Sequence, residues 1–113
     1  MTDAAGATGR ETTIFIELVG ASGASYRFRA WSDVDQSSMA GNFVVAEPGR
    51  EGIEVLLSGV TNDLSKASVY AREAGLIDRP LFTRLNVARL TRRQEHDDIL
   101  AQYASAKALD AEA

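Results

Sequence analysis

The densest run of chemically capable side chains is Glu95-His96-Asp97-Asp98, with Arg92-Arg93 just ahead of it. Residues three apart share a helix face, so Glu95 and Asp98 fall together while His96 turns with Ile99 and Leu100. Two carboxylates on one face suffice for a hard cation such as Mg²⁺, which binds through one or two carboxylates and keeps several waters. They are equally what a helix start attracts, because its dipole favours acidic side chains. His96 is the one histidine of the chain. It suits a general base working near neutral pH, and it equally suits a buried or half-buried ring bonded to a neighbouring strand. In both cases the structural role is the expected one. Arg92 and Arg93 could clamp a phosphate, but adjacent residues point apart on a helix, so only one of them faces a given ligand.

Other chemistries are poorly represented. A single histidine leaves no His-pair metal site and no HExxH, and neither a Walker A sequence nor GxGxxG is present. No serine sits in a nucleophile elbow. The absence of cysteine excludes disulfides and thiolate-bound zinc, and fits a reducing compartment. The net charge of −4 argues against nucleic-acid binding through bulk charge. Within the chain, however, residues 61–93 carry seven cations against three anions. That stretch, with Lys66, Arg72, Arg92 and Arg93, would serve as a phosphate-facing patch; a solvated surface with salt bridges is the plainer expectation. Residues 1–11 lack an apolar core segment, so neither a signal peptide nor a membrane anchor is expected, and the expected location is cytoplasmic.

The elements that must position these residues follow from periodicity. Alternation over 13–19 and 25–31, joined by Gly20-Ala21-Ser22-Gly23, predicts a β-hairpin. It places Tyr26, Phe28 and Ala30 on one face, with Arg27, Arg29 and Trp31 on a wetter one. A second hairpin is predicted from strands over 41–47 and 53–58 around Pro48-Gly49, and the unbroken Val55-Leu56-Leu57 suggests a strand covered on both faces. A helix capped by Thr61 or Asn62, with Asp63 in its first turn, should run to Gly75. A fifth strand is predicted over 81–87. A last helix, opened by a capping box at Thr91-Arg92-Arg93-Gln94, should run to about Leu109. The sum is one α+β domain over 12–107 with a mainly antiparallel sheet and two principal helices, between frayed tails at 1–11 and 108–113.

On these residues the chain resembles the GIY-YIG nuclease superfamily. Gly41-Asn42-Phe43 is similar to the first motif and Leu57-Ser58-Gly59 to the second. Val60-Thr61-Asn62-Asp63-Leu64 is similar to the helix entry, and the helix from Arg92 to Leu100 to the acidic helix. The hairpin Gly20–Phe28 also resembles that of a group of uncharacterised bacterial proteins. The resemblance spans residues 14–103, and its departures decide what it implies. Phe43 and Leu57 stand where the family has its two tyrosines. Ser65 or Lys66 falls at the arginine, and His96 or Glu95 at the metal-binding glutamate. Nothing in residues 104–113 corresponds to the closing Pro-x-x-Asn segment.

The resemblance therefore implies a domain that has lost the chemistry and acts as a binding or interaction module, without a cofactor, for a protein partner or a second copy. One alternative is a divergent nuclease with Glu95 or Asp98 on Mg²⁺ or Mn²⁺, His96 as base, and Lys66 with Arg93 on the phosphate. Another is a non-cleaving nucleic-acid binder using Lys66, Arg72, Arg92 and Arg93. No membrane partner is expected.

Overall fold

The computed structural model describes residues 14–32 and 37–112; the tail read at 1–11 lies outside the described residues. The fold is α+β, a curled six-stranded mixed sheet with one helix on each face. Strands β1 (Phe15–Val19) and β2 (Ser25–Ala30) form the first hairpin, and β3 (Gly41–Gly49) and β4 (Gly52–Thr61) the second. Helix α1 (Ala67–Glu73) follows, then β5 (Leu81–Leu85), helix α2 (Arg89–Gln102) and β6 (Lys107–Ala111). The spatial order is β1-β2-β5-β3-β4-β6. All pairings are antiparallel except β4 with β6, which is parallel.

Each face of the sheet has its own core. Beneath α2 lie Leu18, Tyr26, Phe28, Val44, Ala46, Val55 and Phe82, packed with Ile99. Beneath α1 lie Phe43, Val45 and Leu57, packed with Leu64, Ala67 and Ala71. Alternation sends β3 residues to the two cores in turn. In β4 the alternation breaks where Val45 pairs with Leu57 but Ala46 pairs with Val55. Leu56 is the extra residue of a β-bulge. Val55 and Leu57, two apart, therefore face opposite cores, which is why Val55-Leu56-Leu57 shows no period in the sequence.

Three local expectations are corrected. The turn into α1 is capped by Asp63, whose Oδ1 accepts from the Ser65 backbone N–H at 3.0 Å and the Ser65 hydroxyl at 2.6 Å. Thr61 ends β4 instead, and its hydroxyl donates to the Asp63 carbonyl at 3.2 Å. Helix α2 begins at Arg89, two residues before the Thr91 capping box, and Ala88 at its start makes no side-chain cap. Most consequentially, α2 stops at Gln102, and residues 107–111 are a sheet strand where helix end and frayed tail were expected. Gly75 does close α1 as expected, at φ 79°. No helix among the described residues is long and apolar enough to cross a membrane.

Candidate functional site

The first half of α2 lies over the ends of β3, β4, β5 and β6, and there the buried surface turns polar. Asn42 and Ser58 are buried on β3 and β4, and Arg92 and His96 on α2. Arg92 and His96 lie four residues apart, so they share the face turned to the sheet. The Asn42 amide donates to the Arg92 carbonyl at 2.9 Å, locking strand to helix. Asn86 donates to Asn42 Oδ1 and to Glu95 Oε1, both at 2.9 Å, and Arg84 grips Glu95 through Nε at 2.8 Å.

His96 and Ser58 make the most enzyme-like pair, with His96 Nδ1 and Ser58 Oγ 3.1 Å apart. Their surroundings exclude the usual use of such a pair. Ser58 is 1% exposed and His96 6% exposed, so the hydroxyl cannot meet a substrate. Burial also lowers the His96 pKa, favouring the neutral ring. The expectation of a buried histidine bonded to a neighbouring strand describes the observed geometry.

Glu95 and Asp98 share a side of α2 but face different partners. Glu95 is held by Arg84 and Asn86. Asp98 accepts from the Ser22 backbone N–H at 2.9 Å, the Ser22 hydroxyl at 2.6 Å and the Tyr26 hydroxyl at 2.6 Å. The Ser22 and Tyr26 hydroxyls hold the Asp98 carboxyl below its ordinary pKa, and the bond to Asp98 raises that of Tyr26. The loop Gly20–Gly23 is thus a hairpin turn seated on α2. A Cβ at Gly20 would collide with the Asp98 carboxylate. The run Gly20-x-Ser22-x-x-x-Tyr26 was visible in the sequence, but its partner lies more than seventy residues away. No group of three His, Cys, Asp or Glu side chains suited to a metal occurs among the described residues.

The cations do not form one surface. Lys66 and Arg72 are exposed on the α1 side of the sheet. Arg92, on the α2 side, donates to Glu112, to the Val87 carbonyl at 2.7 Å and to Asn62 Oδ1 at 3.3 Å. Arg93 donates to Glu112 Oε1 at 2.7 Å and to Asp110 Oδ2 at 3.0 Å. Burial opposes ionisation of Glu112, but its hydrogen bonds from Arg93 and Arg92 outweigh that and lower its pKa. Glu112 is the functional-looking residue that sequence reasoning missed, because it was assigned to a tail.

Phe43 and Leu57, which the resemblance sets against the two tyrosines of the GIY-YIG motifs, are fully buried beneath α1. Phe43 stacks on Tyr70 with ring centroids 5.7 Å apart, and a Cβ at Gly59 would collide with its ring. His96 and Glu95 lie on the opposite face of the sheet, and Lys66 lies at the turn into α1. These five positions do not converge. No family model matches the chain, and neither a curated protein nor a solved structure does. Among the described residues several open hollows occur, one of them on the outer face of the N-terminal hairpin. Over β1, β2 and β5 the sheet side opposite α2 presents Phe15, Arg27, Arg29, Thr83 and Leu85 around a shallow hollow of about 350 Å³. Arg27 lies over the Phe15 ring, 5.0 Å from its centroid, and pairs with Glu17 at 3.7 Å.

Proposed function

We propose that this chain is a domain without catalysis, serving as an interaction module that meets a protein partner on the open face of β1, β2 and β5. The supporting observation is the fate of the chemically capable residues. His96 is sealed against Ser58, Asp98 fastens a hairpin, Glu95 is held by Arg84 and Asn86, and Phe43 and Leu57 are core. A phosphodiesterase needs a nucleophile, a metal ligand and a group for the developing charge, arranged about one point. The open face instead offers exposed apolar side chains, with Phe15 47% and Leu85 58% exposed, beside Arg27 and Arg29. Aromatic side chains and arginine are the residue types enriched in protein interfaces.

The test has two parts. Plasmid and single-stranded DNA incubated with the protein and Mg²⁺ or Mn²⁺ should stay intact. Metal-dependent cleavage lost on His96→Ala or Glu95→Ala would establish the nuclease instead. A photo-crosslinking residue at Leu85 should capture a partner in cells while one at Gln94 does not. Steeply salt-dependent binding of a DNA duplex, weakened by Lys66→Ala and Arg72→Ala, would replace the proposal with a nucleic-acid module.

A further inference from the structure

Strand β6 stands in conflict with its own sequence. Residues 101–109, Ala-Gln-Tyr-Ala-Ser-Ala-Lys-Ala-Leu, contain neither glycine nor proline and are rich in the strongest helix formers. Ile99, Leu100, Tyr103 and Ala106 continue the apolar stripe of α2 at helical spacing. Alanine and lysine are also depleted in strands. Yet the helix stops at Gln102, and Lys107–Ala111 lies extended along β4, from Leu57 opposite Lys107 to Thr61 opposite Ala111. Tertiary contacts override local preference here, so the strand persists only while those contacts do.

Beyond the five-residue parallel ladder with β4, the side-chain contacts of β6 are few and mostly ionic. Of the β6 side chains only Leu109 packs against a core cluster. The hold comes from the far end. The Glu112 carboxylate is met by Arg92, by Arg93 at 2.7 Å and by Arg89 at 3.5 Å, and the Glu112 carbonyl accepts from Asn62 at 2.8 Å. The side chains of Arg92 and Glu112 are each 4% exposed. The arginines of α2 thus meet two carboxylates at the end of an extended segment, Glu112 and, through Arg93 at 3.0 Å, Asp110. When β6 leaves, α2 can lengthen through the short link Tyr103–Ala106. The edge of β4, a strand with buried Val55, Leu57 and Val60, is then open.

We propose that Lys107–Glu112 is an exchangeable strand, and that the β4 edge with its arginine cradle docks the same segment of a second copy of this chain. The occupant is set by fit. The backbone register, the seat of Leu109 and the arginine cradle match this sequence, and exchange between copies restores each of those contacts. The exchanged dimer therefore differs from the monomer only in the link and in the cost of association, which concentration offsets. A short link favours exchange because straightening it prevents the strand from folding back on its own sheet. This surface is separate from the open face proposed above, and neither reading depends on the other.

Hydrogen exchange on the full-length protein tests the opening. Amides bridging β6 and β4 should exchange about tenfold or more faster than those bridging β3 and β4. Equal protection of the two ladders overturns the proposal. Heavy and light full-length chains, warmed together to partial unfolding and cooled at high concentration, should give mixed dimers by native mass spectrometry. Deleting Ala104 and Ser105 should make the dimer the principal species by light scattering. A folded monomer from that deletion overturns the proposal, and if the deletion fails to fold, exchange on the unaltered chain decides. So does a dimer in which amides of β1, β2 and β5 gain protection while the β4–β6 link is unexchanged, because it assigns association to the open face.

Discussion

Strand β1 at one edge of the sheet and strand β6 at the other are fastened by unlike means. Strand β1 alternates Phe15, Glu17 and Val19 outward with Ile16 and Leu18 inward, and Leu18 is fully buried against the core under α2. Its hairpin turn is then pinned by Asp98. Strand β6 has little apolar area and is held by a buried arginine–carboxylate cluster around Glu112. Helix α2 serves both edges, with Arg89, Arg92 and Arg93 at its start and Asp98 in its second half. One edge is closed by the hydrophobic effect with a polar latch, the other by charge with an apolar afterthought. Apolar burial is cumulative and tolerant, whereas a buried ion pair depends on both partners being present.

The sharpest way to break this comparison is Glu112→Ala. It strands the Arg92 guanidinium in a buried site, and losing one member of such a pair costs about 3–5 kcal/mol. Urea unfolding should show that loss, while replacing Arg92 and Glu112 together by Met and Leu should recover a good part of it. Next comes a matched pair of apolar deletions. Leu18→Ala should cost about 2–5 kcal/mol as a fully buried leucine, while half-buried Leu109→Ala should cost roughly 1 kcal/mol. A comparable loss at both leucines would remove the distinction between the edges.

Much of this was legible in the sequence where period and partner lie close together. Both hairpins, the helix ended by Gly75 and the fifth strand follow from alternation and turn residues. Strand β6 was not legible, since Ala106-Lys107-Ala108-Leu109 carries a helical pattern and its strand state depends on Arg92 and Asn62 far upstream. The bulge at Leu56 hid for a related reason: an extra residue erases alternation without marking the erasure. At the candidate site, His96 against a neighbouring strand was readable from its place beside Ile99. The seating of Asp98 on Ser22 and Tyr26 was not, because nothing local to either segment names the other.

Acid should separate the contributions in order. His96 has its pKa lowered by burial, so the unfolded chain takes up a proton first. Stability is therefore complete above the ordinary histidine value of about 6.5 and falls as pH drops below it, until the folded-state pKa is passed. His96→Gln should flatten that part of a melting-temperature profile measured from pH 7.5 to 5. Asp98, Asp110 and Glu112 have lowered pKa values, so their contribution is present above about pH 4 and is lost as pH falls through the folded values. Asp98→Asn should have the smallest effect, lowering the melting temperature less than Leu18→Ala does and loosening the turn at Gly20–Gly23 in hydrogen exchange.

In the function proposed above, the acidic and histidine side chains of α2 fasten strands and hold no catalytic metal. The most direct measurement is the amide spectrum of the labelled protein during a titration with Mn²⁺, whose paramagnetism broadens nearby resonances. Scattered, weak broadening at exposed carboxylates, with Glu95, His96 and Asp98 no more affected than Glu51, is the expected result. Broadening at low Mn²⁺ concentration, focused on Glu95, His96 and Asp98, would contradict the account and restore the metal-dependent nuclease.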